Sequence, residues 1–273
     1  CSDGNLESIL RRAYVSRMNG ISKPALRRLK CLNKKATKLT VVVPVYNEVD
    51  SVASTIKELY DEIASRIGAE ILVCEDGSTD GTKEVLKDLA KEIPIQLILE
   101  PERKGYLQAV KDALLATRGE YVLFLDSDGQ YLPVDFWKLW EQTGRADIVI
   151  GQRMKRVEST YRRLLSKGLH LIAKLLFDLP YKDTTSAFRL IRREVAHDIA
   201  QACRYMKYSF WTEFTIRAFL KNYTSIEVPV SYRERVGSSR VYVLLKTPKI
   251  VLSQLTALYR LWKELNAPST EGD

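Results

Sequence analysis

The sequence predicts an α/β fold built on a mostly parallel sheet flanked by helices. Three observations lead there. Short apolar runs rich in β-branched residues alternate with stretches whose apolar positions recur at helical spacing. The runs show no inward/outward alternation, so they read as strands buried on both faces. They also end in polar turns rich in Gly and Asp, as crossover connections require.

In chain order, Ser8 to Met18 has weak helical periodicity, and Ser22-Lys-Pro24 can open a second basic helix over Leu26 to Leu32. Leu39 to Val45 is the first buried strand. Pro44 has no N–H to donate, so pairing is expected to stop there and the chain to leave through Tyr46, Asn47 and Glu48. Asp50 or Ser51 is placed to cap a helix carrying Val52, Ile56, Leu59 and Ile63. Glu70 to Cys74 is the second strand, ending in an acidic turn from Glu75 and Asp76 to Gly81, with a helix through Val85, Leu86 and Leu89 beyond it. Ile95 to Leu99 is the third strand. The basic turn Arg103-Lys104-Gly105 then leads into a helix through Ala109, Val110 and Leu114. The fourth strand, Tyr121 to Leu125, ends in two carboxylates one residue apart, Asp126 and Asp128. A further apolar strand, Ile148 to Ile150, precedes Arg153. Parallel sheets bind ligands beyond the carboxyl ends of their strands, and Glu48, Asp76, Asp126 and Asp128 all fall at such ends.

A chain of 273 residues suffices for one large α/β domain or two small ones, and 45% hydrophobic with 28% charged residues is a globular composition. Cys1, Cys31, Cys74 and Cys203 form no C-x-x-C pair, which argues for a reducing compartment and against a zinc or disulfide framework. With His170 and His197 the only histidines, a histidine triad or multi-histidine metal site is not expected, and His170 reads as a packing or surface residue. Neither G-x-G-x-x-G after the first strand nor G-x-x-x-x-G-K-[ST] is present, which excludes the common dinucleotide and P-loop sites. A chain starting at Cys1 reads as a trimmed form, so a targeting signal ahead of it would not be seen. No run approaches the ~18 to 20 apolar residues that span a bilayer. The net charge is +9, and nearly all the excess sits in residues 1–38, where ten Lys and Arg face two acids. Such an arm is either a solvated tail or a patch attracted to anionic lipid. Aromatic residues are sparse there, so nucleic acid is not the expected partner. The chain divides into a basic helical arm (1–38), the α/β domain (39–240), amphipathic C-terminal helices (241–265) and a disordered tail (266–273).

Asp126, Asp128 and Gln130 offer only hard oxygen ligands, suited to Mg²⁺ or Mn²⁺ with a diphosphate completing the shell. Alone, Asp-x-Asp after a strand reads first as a solvated acidic turn; four acids on one rim weigh towards a site.

Val43-Pro-Val-Tyr-Asn-Glu48, Glu75-Asp-Gly-Ser-Thr-Asp-Gly81 and Asp126-Ser-Asp-Gly-Gln130 resemble, in order and spacing, the nucleotide-sugar-binding half of the inverting family 2 glycosyltransferases, whose fold is called GT-A (Rossmann-like). Asp183-Thr-Thr-Ser-Ala-Phe-Arg-Leu190, Asn222 to Pro229 and Arg235-Val-Gly-Ser-Ser-Arg240 look like the matching segments of dolichol-phosphate mannose synthases and related polyprenyl-phosphate hexosyltransferases. The resemblance implies inverting transfer of a hexose, mannose before glucose, from GDP-mannose or UDP-glucose to a polyprenyl or dolichyl phosphate. It implies donor binding by Pro44, Tyr46, Glu48, Asp76, Lys104, Gly105, Asp126, Ser127, Asp128, Gln130, Arg235 and Arg240, with Asp126, Asp128 and Gln130 on the metal. Asp126, Asp128, Arg153 and Arg235 are the expected catalytic residues. Arg153, Arg162 and Ser166 suit a fork for the acceptor phosphate, Arg162 and Ser166 being four apart on a predicted helix. Two departures stand out: Arg240 replaces the usual Lys in a motif one residue short, and Tyr106-Leu-Gln108 occupies a place where small residues are usual.

Leu164 to Phe177 and Val241 to Leu265 are basic amphipathic stretches, the second with Tyr242, Tyr259 and Trp262. They fit either core packing or a peripheral anchor on the cytoplasmic face of a membrane, with an integral membrane partner left open. Two other functions remain in play. One is transfer to a glycan or glycolipid hydroxyl, which needs a general base such as Glu213 or Asp183; the other is an inactive, sugar-nucleotide-binding scaffold.

Overall fold

The computed structural model describes residues 37–154, 160–234 and 247–266, and of residues 160–166 and 247 the backbone alone. The basic arm with its two predicted helices, the tail from residue 267, Arg235, Arg240 and the 240/241 boundary lie outside the described residues, as do the side chains of Arg162 and Ser166.

Seven strands form one sheet: β1 (Leu39–Val45), β2 (Glu70–Glu75), β3 (Ile95–Leu99), β4 (Tyr121–Phe124), β5 (Ile148–Arg153), β6 (Arg189–Arg192) and β7 (Ser225–Val230), in the order β3-β2-β1-β4-β6-β5-β7. β1 pairs in parallel with β2 and β4, β2 with β3, and β5 with β7; β6 runs antiparallel to both β4 and β5. Six strands therefore point the same way, and their carboxyl ends, Val45, Glu75, Leu99, Phe124, Arg153 and Val230, share one rim. Because β6 is reversed, the loop that enters it, from Asp183 to Phe188, reaches that rim too.

The helices are α1 (Val52–Leu59, continued by a π turn at Tyr60–Ala64), α2 (Thr82–Glu92), α3 (Tyr106–Leu115), α4 (Phe136–Trp140), α5 (Thr160–Phe177), α6 (Arg193–Ala202), α7 (Phe210–Leu220) and α8 (Thr247–Leu265). Every residue of β1 is buried, and Ile56, Leu59, Ile63, Val110, Leu114, Phe124, Phe136 and Phe214 are wholly enclosed against the sheet. Each such side chain contributes roughly 1.5–3 kcal/mol by leaving water. Among the described residues no helix is long and apolar enough to cross a membrane.

Two local expectations need correction. β1 has the expected bounds, Leu39–Val45, but its pairing does not stop at Pro44, which is buried opposite Cys74 with Val45 still opposite Glu75. Ser51 stands at the α1 N-cap but makes no side-chain cap bond. Its Oγ proton is instead shared between Glu48 Oε2 (3.1 Å), three residues back, and the Ser127 carbonyl (3.2 Å), 76 residues away, so these acceptors take the hydroxyl from the cap.

Candidate active site

The loops on the rim are tied to one another by hydrogen bonds that the residue types make possible. Asn47 adopts the left-handed conformation (φ 54°), which asparagine tolerates. Its N–H donates to Ser78 Oγ (2.8 Å), and its Oδ1 accepts from Thr79 N (2.8 Å). Glu48 N donates to Thr82 Oγ1 (3.0 Å), closing the β1 loop onto the β2 loop. Thr55 Oγ1, like Ser51 Oγ, donates to the Ser127 carbonyl (3.3 Å), which binds α1 to the Asp126–Asp128 turn. This places the turn beside the point where the strand order reverses between β1 and β4, the usual ligand crevice of such sheets.

Asp76 is buried and accepts from the backbone N–H groups of Lys104 (2.7 Å) and Gly105 (3.0 Å). The Lys104 ammonium lies between Asp112 Oδ2 (2.8 Å) and Glu100 Oε1 (2.7 Å), and those two hydrogen bonds push its pKa up. Gly77 sits at φ 72°, and a Cβ there would overlap the Arg103 backbone nitrogen, so only glycine allows the two turns to touch. The Arg103 guanidinium stacks 3.9 Å from the centre of the Tyr46 ring. Glu75, enclosed at the end of β2, accepts from Ser78 N, with Lys83 Nζ 3.6 Å from its second oxygen, an ion-pair distance beyond hydrogen bonding.

Asp126 and Gln130 are half-buried; Ser127 and Asp128 are buried. Asp128 Oδ1 accepts from Gln130 N (3.1 Å), and Tyr106 Oη lies 3.4 Å from Asp126 Oδ1. Burial pushes the Tyr106 hydroxyl well up, and Asp126 adds to it. For Tyr131, burial raises the hydroxyl, Arg153 opposes, and Asp126 and Asp183 reinforce. For Tyr232 the causes are burial, then Tyr131 and Asp128, with Arg153 opposing and Asp126 adding. Asp126 and Arg153 thus act on both Tyr131 and Tyr232, Asp183 on Tyr131 and Asp128 on Tyr232, and the two rings pack edge-on at 5.0 Å, so the four charged groups surround one pair of phenols.

Arg153, at the end of β5, is held flat. Its Nε donates to Asp183 Oδ2 (2.8 Å) and its Nη2 to Asp183 Oδ1 (2.9 Å) and Thr185 Oγ1 (2.6 Å). Thr185 in turn bonds Asp183 Oδ1 through its hydroxyl (3.0 Å) and its N–H (3.2 Å). Beneath this loop, Arg189 is fully buried and donates to the carbonyls of Ser186 (2.8 Å) and Thr184 (3.0 Å) and to Thr215 Oγ1 (2.9 Å). Burial lowers its pKa to about 10, still far above neutrality. His170 on α5 meets Thr184 Oγ1 at 3.0 Å, which links that helix to the same loop.

Glu213 does not face the rim. It is fully buried on α7, where it accepts from the backbone N–H groups of Arg204, Tyr205 and Met206 (2.9, 2.8 and 2.8 Å) and from Arg217 Nε (2.9 Å). Its role is to close the turn before α7.

Several residues escaped the sequence reading. Tyr232 Oη donates to Gln130 Oε1 (2.8 Å), and Tyr131 and Tyr232 form an antiparallel bridge. Arg233 pairs with Glu58 Oε2 (2.6 Å) and donates to the Gly129 carbonyl, fastening the segment after β7 to the Asp126–Gln130 turn. The available signal was the position of Tyr232 just past an apolar run and three residues before Arg235.

As to a cation, among the described residues no three His, Cys, Asp or Glu side chains gather as a ligand cluster. The donors on offer are two carboxylates and the Gln130 amide oxygen. These are all hard oxygen donors, the kind that Mg²⁺ or Mn²⁺ takes, so the residue types fit such an ion.

Residues 40–200 match the domain described as glycosyl transferase family 2. A dolichyl-phosphate hexose transferase of Haloferax volcanii is 32% identical over 74% of this chain and 86% of its own length. A dolichyl-phosphate beta-glucosyltransferase of Trichomonas vaginalis is 32% identical over 73% of this chain and 67% of its own. Among solved structures, glucosyl-3-phosphoglycerate synthase of Mycobacterium tuberculosis, crystallised with Mn²⁺, UDP-glucose and phosphoglyceric acid, superposes with a TM-score of 0.64 at 18% identity, covering 92% of this chain and 86% of that one. The shared architecture is GT-A.

Proposed function

Since the chain belongs to glycosyl transferase family 2, we propose that it transfers a hexose, with inversion, from a nucleotide diphosphate sugar to a polyprenyl or dolichyl phosphate at a membrane surface. The observation that carries this reading is the state of the rim's ionisable groups. Arg153 stands in the neighbourhood of Asp126 and Asp128, whereas both carboxylates proposed as a general base are committed elsewhere: Asp183 to Arg153 through both oxygens, Glu213 to the turn before α7. A hydroxyl acceptor needs a base; a phosphate monoester, with its second pKa near ~6, is already an anionic nucleophile and needs only cations to seat it.

In the proposed reaction an acceptor phosphate oxygen bonds to the anomeric carbon as the bond from that carbon to the diphosphate breaks. Tyr46, Glu48, Asp76, Lys104 and Gly105 form the donor side, with Pro44 supporting it from inside β1. Asp126, Ser127, Asp128 and Gln130 face the diphosphate, and Asp126, Asp128 and Gln130 would hold Mg²⁺ or Mn²⁺. A bound divalent ion would supply electrostatic stabilisation of the leaving diphosphate. Arg235 and Arg240 are assigned to the same charge, and Arg153, Arg162 and Ser166 to the acceptor phosphate.

The lipid portion is assigned to the exposed apolar face of α5 and α8. On α5, Leu171 and Leu175 are exposed beside His170; on α8, Leu252 and Tyr259 are exposed. Ile172, Leu176, Leu255, Leu258, Tyr259 and Trp262 line an open apolar groove of ≈ 360 Å³ between the two helices. Exposed apolar surface of this kind fits a peripheral membrane protein, assigned here to the cytoplasmic face.

The test is incubation with labelled GDP-mannose or UDP-glucose, Mn²⁺ or Mg²⁺ and a polyprenyl phosphate. Lipid-linked hexose is expected from one donor, and its absence with every common donor would overturn the reading. Arg162→Ala should lower kcat/KM for the acceptor by about 10-fold or more, the usual weight of a charge-assisted contact. Were Arg162→Ala silent and Asp183→Asn inactive with a hydroxyl acceptor, transfer to a glycan would replace it.

A further inference from the structure

Tyr232 touches both the Asp126–Gln130 turn and the arginine at the end of β5. Its hydroxyl donates to Gln130 Oε1 at 2.8 Å. The opposite end of that amide is occupied too, since Gln130 Nε2 donates to the Arg233 carbonyl at 3.3 Å and Arg233 N returns a bond to the Gln130 carbonyl at 2.9 Å. The Arg233 carbonyl fixes the amide's orientation, since a flip would set Oε1 against it, acceptor against acceptor, and Tyr232 then donates to the oxygen that this orientation presents. One lone pair of Oε1 is used by Tyr232, which leaves the oxygen able to accept or ligate once more in a fixed direction.

The ring of Tyr232 faces the other way. The Arg153 guanidinium lies 5.4 Å from its centre, within the range of a cation–π contact, and Tyr131 packs edge-on at 5.0 Å. Tyr131 itself is held by Ser186 Oγ and Ala187 N, each at 3.2 Å, in the loop that carries Asp183 and Thr185. The phenol thus has two separable functions, one on each side.

We propose that Tyr232 is a positioning residue that sets the donor and acceptor halves in register, its hydroxyl orienting Gln130 towards the divalent ion and its ring supporting Arg153. This rests on the reading above, in which Gln130 serves the metal and Arg153 the acceptor phosphate. Outer-shell partners of metal ligands matter at about 10-fold or more in metal affinity. A partly exposed cation–π contact corresponds to roughly 3-fold.

The experiment compares Tyr232→Phe, Tyr232→Leu, Gln130→Ala and the double variant Gln130→Ala/Tyr232→Phe with the parent. Free Mn²⁺ is followed by electron paramagnetic resonance in the presence of UDP or GDP, and donor and acceptor KM are measured alongside. Tyr232→Phe should weaken Mn²⁺ binding about 10-fold and leave acceptor KM unchanged. Tyr232→Leu should show the same Mn²⁺ loss together with a roughly 3-fold rise in acceptor KM. In the Gln130→Ala background, Tyr232→Phe should cost nothing further, because both changes remove one interaction. All variants should melt close to the parent. Parental Mn²⁺ binding by Tyr232→Phe, or additive losses in the double variant, would overturn the proposal. If Gln130→Ala alone binds Mn²⁺ normally, it is the metal assignment that fails; if the parent forms no lipid-linked product, it is the reaction.

Discussion

A buried carboxylate such as Glu213 pays for its desolvation only while every partner stays in place. Three backbone N–H groups and Arg217 converge on it, and the Arg217 side chain is itself buried. Glu213→Gln keeps the shape but removes the charge and replaces an acceptor by a donor, so a loss of about 3–5 kcal/mol is expected, read as a lower urea midpoint. The folded fraction should keep parental donor and acceptor KM; a catalytic base would show the reverse, normal stability and no turnover. Asp126, Asp128 and Arg153 were legible from sequence because each follows a recognisable strand. The partners of Glu213 were not, since an acid on an apolar helix looks the same whether it faces a ligand or a turn eight residues away in the chain. Tyr232 was hidden for a similar reason: nothing in a lone tyrosine says that Gln130, more than a hundred residues earlier, will be beside it.

At the scale of elements, the strands read correctly, β1 to β5, were those whose apolar run and closing turn announce themselves. β6 is four residues long and reversed, and β7 is half-exposed and contains Pro229, so neither has the buried, β-branched character of β1. Their pairing is set by tertiary contacts that local pattern does not encode. α8 shows how a terminal helix is fastened. Glu264 bonds Arg217 Nη1 (3.1 Å) and pairs with Arg204 Nη2 (2.7 Å). Partial burial alone would raise the Glu264 pKa, but hydrogen bonds from Arg204, Tyr205 and Arg217 outweigh it and lower it to about 2. A carboxyl with a depressed folded-state pKa stabilises the fold above its ordinary value, 4.5, and loses that contribution as pH falls towards 2. The melting temperature of Glu264→Gln should therefore lie below the parent's at pH 6, and the gap should close between about pH 4.5 and 2. A gap that is constant with pH would show that the anchor is not ionic.

For the whole molecule, the predicted α/β class and its carboxyl-end rim follow from six strands sharing a direction, while the basic arm holds most of the net charge of +9. On α5 and α8, Leu175 is 77% and Leu252 68% exposed, so changing them has little effect on folding. Leu175→Asp with Leu252→Asp should weaken co-sedimentation with anionic phospholipid vesicles by roughly 10-fold or more per leucine, the value of one buried apolar side chain, and leave the melting temperature near parental. Unchanged vesicle binding would remove this face from the membrane contact.

The single reversed strand has an effect on how the enzyme can diverge. In the proposed reading, the groups that grip the nucleoside and the ion are encoded before β5, and Arg235 and Arg240 return to the leaving diphosphate from beyond β7. The groups that seat the acceptor, Arg153, Arg162 and Ser166, come after β4, Arg153 being held by Asp183 in the loop that leads into β6, the strand paired with β4. In that reading, substitutions among the nucleoside-gripping residues before β5 leave the acceptor groups in place, so a change of sugar need not bring a change of lipid, except at Tyr232, which touches both halves.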